Sequence, residues 1–116
     1  MTFGKYIKSK REELASTSKN YSVRKVAKAI DVEPSYLSKV ERGITAPPSE
    51  AKILALAKYL DEDPDVLLAM AGKVSSDLQA IIRKRPRLFA DLIRKLKEEP
   101  DHAVLKVVRQ VKTGDW

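Results

Sequence analysis

The sequence predicts an all-α protein, with five short helices in residues 1–72 and a helical extension over 73–116. Three observations predict it. Every periodic segment repeats its apolar residues at three- and four-residue spacing, and no alternating strand pattern competes. Good helix starters, namely Ser22, Ser49, Asp63–Pro64 and Ser76, precede the apolar runs. Gly43 and Gly72 follow two of them, where helices commonly stop. With 43% apolar and 34% charged residues, the 116-residue chain can close a packed core.

The first helix runs from Phe3 to Leu14, with Phe3, Ile7 and Leu14 at helical spacing among Lys and Arg. "ASTSKNY", Ala15 to Tyr21, is small and polar and reads as a loop. Ser22 caps the second helix, Val23 to Ile30. Pro34 suits the first turn of the third, because a first-turn N–H has no intrahelical partner to lose. That helix ends before Gly43. Ser49 caps the fourth, Glu50 to Leu60, whose buried stripe is Ile53, Leu54, Leu56, Ala57 and Leu60. Asp63 and Pro64 start the fifth, which Gly72 closes and which marks the domain boundary.

Composition excludes several functions. There is no cysteine, hence no disulfide or thiolate chemistry, which fits a cytoplasmic setting. The single histidine, His102, has no second His or Cys at metal spacing, so neither a metal nor a cofactor is implied. The four glycines are scattered and form no phosphate-cradling loop, and "DEDPD" near residue 61 is an acidic surface cluster rather than a catalytic pair. An enzyme is not expected. The N-terminus lacks the apolar core of a secretory signal, and the longest apolar run, Val66 to Ala71, is far short of a membrane span of ~20 residues. The net charge of +7 favours polyanions, and up to Arg42 there are 10 basic against 5 acidic residues.

The stretch from Ser22 to Gly43 behaves as a device. Val26 and Ile30 share one face of the second helix, Leu37 and Val40 one face of the third, and Val32 lies in the turn. These five close a miniature core, and small Ala27 lets the helices approach: the pattern is a helix-turn-helix. With "SYLSKVERG", "APPSE" and "LAKYLDEDPDVLL" following in order, residues 3–72 resemble the XRE, or lambda-repressor-like, family. The sequence departs from that family's pattern in three places. Asp31 replaces the usual turn glycine, at modest cost because Asp tolerates the left-handed conformation. Glu33 replaces the usual Ser or Thr cap, and the first loop is longer, its Lys19 and Asn20 reading as solvated.

With Leu37 and Val40 inside, Ser35, Ser38, Lys39 and Arg42 form one exposed stripe of hydroxyls and positive charge that fits a major groove. Pro34, Ser35, Ser38 and Lys39 are the base-edge candidates, and the resemblance adds Glu33. Ser22 and the N–H groups that begin the second helix, from Val23, offer a dipole end to a phosphate. The resemblance places Tyr36 and Arg42 at backbone contacts, with Arg24, Lys28 and Thr45 as weaker additions. It also pairs Arg11 with Glu41 as a structural link beneath the third helix.

The extension carries three amphipathic stretches. Ser76 caps the first, with Leu78, Ile81 and Ile82; Pro86 starts the second and Pro100 the third. Leu88, Phe89, Leu92, Ile93, Leu96, Val104 and Val108 must bury against their own monomer or against a second copy, and the apolar excess favours a dimer. The expected function is a dimeric repressor of a near-palindromic operator, with double-stranded DNA as partner and no membrane. The alternative is an antitoxin or interaction module whose C-terminal helices bind a partner protein, with DNA binding as autoregulation.

Overall fold

A computed structural model describes residues 2–113 of the chain. Among them are eight α-helices and no strand. The chain divides between Ser75 and Ser76 into two compact units.

The first unit contains α1 (Phe3–Ala15), a 3-10 turn (Lys19–Tyr21), α2 (Val23–Ala29), α3 (Pro34–Glu41), α4 (Glu50–Leu60) and α5 (Pro64–Met70). Side-chain oxygens close the helix starts. Thr2, Ser22 and Ser49 accept from the backbone N–H groups of Lys5, Lys25 and Lys52, and Asp63 accepts from Asp65 and Val66. Each satisfies donors the helix cannot, a contribution of about 1 kcal/mol per cap.

Four helix ends share one lock. After α2 the Val32 N–H bonds Ala27 O (2.9 Å) and the Asp31 N–H bonds Lys28 O (3.2 Å). After α3 the Ile44 N–H bonds Lys39 O (2.9 Å) and the Gly43 N–H bonds Val40 O (3.1 Å). Glu62 and Asp61 repeat the pattern after α4, and Lys73 and Gly72 after α5. The pattern is the Schellman motif, and it needs a left-handed residue at its pivot. Asp31 (φ 58°), Gly43 (75°), Asp61 (57°) and Gly72 (75°) supply it.

The core joins all five helices through Phe3, Ile7, Val26, Leu37, Val40, Ile53, Leu56, Leu60, Leu67 and Leu68, with the small residues Ala27 and Ala57 fully buried among them. Local details differ from the sequence reading. Leu54 is 39% exposed rather than buried, because it follows Ile53 by 100° around α4 and so leaves the inward stripe. The Ala15–Tyr21 loop contains the 3-10 turn, with Ser18 accepting from the Asn20 N–H. Ile30 lies just past the end of α2, and Ser76 lies within its helix rather than before it.

The second unit contains α6 (Ser76–Lys84), α7 (Pro86–Leu96) and α8 (Asp101–Thr113). Pro86 occupies the first helical position of α7, and the Pro100 carbonyl accepts the Ala103 and Val104 N–H groups at the start of α8. The helices α6 and α7 pack on each other, yet no described side chain of this unit is buried.

Candidate nucleic-acid interface

The orientation of α3 follows from its two apolar residues. Leu37 and Val40 are fully buried, so the opposite face must look outward. Ser35, Lys39 and Arg42 are exposed there, while Pro34 and Ser38 are half-buried at its edge. Glu33 stands before α3, exposed and making no capping bond. The Arg42 Nε donates to the Ser38 carbonyl (3.3 Å), which seats the guanidinium over the end of the helix. The structure therefore gathers Ser35, Ser38, Lys39 and Arg42 on one side of a two-turn helix, with Pro34 at its start and Glu33 just before it.

The flanking candidates divide. Ser22 is exposed, and its oxygen caps α2 while its O–H stays able to donate outward. Val23 begins the helix with its side chain half-buried against the core, and Arg24 is exposed in the same turn. Lys28 is also exposed but sits in the last turn of α2, the opposite end from Ser22. Tyr36 is half-buried at the core edge. Thr45 lies in the loop after α3, its N–H directed at Lys39 O (3.4 Å).

Arg11 and Glu41 meet inside the domain. The Arg11 Nε donates to Glu41 Oε2 (2.7 Å) and its Nη2 to Oε1 (2.9 Å), a planar two-point pair. The remaining Nη1 donates to the Tyr21 carbonyl (3.2 Å). One guanidinium thus ties α1 to α3 and to the turn that leads into Ser22. The hydrogen bond to Glu41 raises the Arg11 pKa, against the opposing effect of burial.

Two positioning residues escape a sequence reading. Gly4 lies where α1 crosses the end of α3. A Cβ there would overlap the Val40 carbonyl oxygen and stand 2.7 Å from that of Glu41. The only signal in the sequence is a glycine inside a helical pattern, which costs ~1 kcal/mol unless packing needs it. Lys52 of α4 donates to the Ile30 (3.0 Å) and Asp31 (3.1 Å) carbonyls. It thereby caps the end of α2 and holds the turn into α3, and nothing near it in sequence announces that reach.

In the second unit Leu88, Leu92, Ile93 and Val108 are exposed, Leu88 by 67%, whereas Phe89, Leu96 and Val104 are half-buried. His102 is exposed on α8. Among the described residues no group of His, Cys, Asp and Glu could hold a metal ion, and no helix is long and apolar enough to cross a membrane.

A family model described as helix-turn-helix matches residues 7–67, more than half of the chain. No curated protein and no solved structure matches it.

Proposed function

The chain belongs to the lambda-repressor-like (XRE) helix-turn-helix family of DNA-binding regulators, and from that premise we propose that it is a dimeric repressor which inserts α3 into the major groove of a near-palindromic operator. One observation carries the reading: α3 buries Leu37 and Val40 and turns Ser35, Lys39 and Arg42 outward as one stripe. Hydroxyls and a long cation on a short helix suit the donor and acceptor pattern of base edges. Lys39 addresses guanine O6 or N7, Pro34 offers apolar contact, and Ser35 and Ser38 serve either kind of base. Glu33 can accept from cytosine N4. Ser22, Arg24, Tyr36, Arg42 and Thr45, with the Val23 N–H, hold the backbone on either side, and Lys28 extends that set along α2.

A two-fold dimer would place two copies of α3 one helical turn of DNA apart, about 34 Å. The apolar faces of α7 and α8 support the dimer, since exposed Leu88, Leu92, Ile93 and Val108 gain burial only from another chain or another unit. The same faces support a second reading, an antitoxin or interaction module that grips a partner protein and represses its own gene. Either role places the chain in the cytoplasm, with the DNA. The test is anisotropy of labelled DNA from upstream of the gene, against random duplex, at about 0.15 M salt. Preference of ~10³ or more with two protomers per site is expected. Equal, weak binding to both sequences would refute operator recognition there.

A further inference from the structure

Beside the recognition helix lies a groove of about 740 Å³, of which the reading above uses only Arg42 and Thr45 and leaves the α1 wall unassigned. One wall is the start of α1, with Lys5 and Lys8; the other is the loop after α3, with Arg42, Ile44 and Thr45. The one carboxylate on its lining, Glu41, is fully engaged by Arg11. Lys5 and Lys8 are exposed, and among the described residues neither has a carboxylate within 4.0 Å. Lys10, on the same helix, instead reaches Glu62 at 3.7 Å. The groove is therefore a pocket of uncompensated positive charge.

Its position is fixed as firmly as that of α3. Gly4, next to Lys5, brings the backbone of α1 against the last carbonyls of α3, so the two lysines cannot drift from the recognition helix. They are one helical turn apart, about 5–6 Å between Cβ atoms, and share a face. A lysine ammonium has three donors and no acceptor, so it suits phosphate oxygens. Because the pair is carried on α1 and not on α3, it stands outside the stripe proposed to read bases.

We propose that this groove is a second phosphate-binding surface, in which Lys5 and Lys8 grip the DNA backbone next to the C-terminal end of the recognition helix. The proposal rests on the DNA-binding reading and adds α1 to the helices that touch DNA. Such contacts carry no sequence information; they fix orientation and add to the salt dependence.

The experiment measures affinity of the full chain for a labelled mixed-sequence duplex between about 50 and 200 mM salt, because phosphate contacts need no operator. Lys5→Ala and Lys8→Ala should each lower the slope of log K against log salt by about 0.9, and together by about 1.8. Lys10→Ala removes the same charge from the same helix and should leave the slope unchanged. Circular dichroism confirms that each variant is folded. An unchanged slope in the double variant, with wild-type binding intact, would overturn the groove alone. Equal loss in Lys10→Ala would also overturn it, since net charge would then explain everything. Failure of the wild-type chain to bind any duplex would overturn the DNA-binding reading and the groove with it.

Discussion

Arg11 and Glu41, 30 residues apart in the chain, face each other through two hydrogen bonds of 2.7 and 2.9 Å at the inner side of α3. The pair is buried, so its attraction is set against the desolvation of two charges. Its role is to hold α3 at a fixed angle to α1 rather than to add large stability.

That balance gives an asymmetric mutational outcome. Arg11→Ala or Glu41→Ala should cost roughly 3–5 kcal/mol, because each strands the opposite charge. Replacing both, as Arg11→Met with Glu41→Leu, should recover most of the loss. Urea unfolding midpoints decide it, and a double variant as unstable as either single one would contradict the desolvation account.

Gly4→Ala should destabilise the domain by about 1–3 kcal/mol, the usual cost of overpacking. The obstacle is backbone, the Val40 and Glu41 carbonyls, so no side chain can swing aside. Thermal unfolding of the variant measures the loss, and a melting temperature equal to wild type would show that α1 and α3 separate freely.

At the turn between α2 and α3 one change of each sign is expected. Asp31→Gly should stabilise by about 0.5–1 kcal/mol, since glycine enters the left-handed region without the penalty a side chain meets. Lys52→Met should destabilise by about 1–3 kcal/mol, by removing the ammonium that satisfies the Ile30 and Asp31 carbonyls. Equilibrium denaturation of the two variants and their combination resolves the signs.

Lys39 and Arg42 should separate by how their loss spreads over sequences. Lys39→Ala should cost ~1–3 kcal/mol on the preferred site and relax preference at one base pair. Arg42→Ala should weaken all duplexes alike and reduce the salt slope by about one. Competition binding over a set of singly altered sites distinguishes the two patterns, and equal weakening by Lys39→Ala on every site would move Lys39 to the phosphate contacts.

What the sequence made legible was mostly local. Ser22, Ser49 and Asp63 cap helices through bonds to residues two or three positions away, and Gly43 and Gly72 turn the chain within one step. The free face of α3 was legible because a period of 3.6 residues fixes what lies opposite Leu37 and Val40. Distant contacts left weaker traces. The close approach at Gly4 and the reach of Lys52 depend on helix crossings that no neighbouring residue encodes. Leu54 reads as part of the buried stripe because it is apolar, yet it is exposed beside that stripe on α4. The pairing of Arg11 with Glu41 follows from the family resemblance alone, since two charges 30 positions apart have no local signature.

The lock at the end of α3 also limits how this chain can change over generations. Pro34 fixes the first residue of the helix, and Gly43, whose N–H bonds Val40 O while that of Ile44 bonds Lys39 O, fixes its last. The surface between them is a slot two turns long, about 12 Å at 1.5 Å per residue. A descendant can rewrite the letters in that slot one substitution at a time. It cannot lengthen the slot by insertion without dismantling one of its two ends.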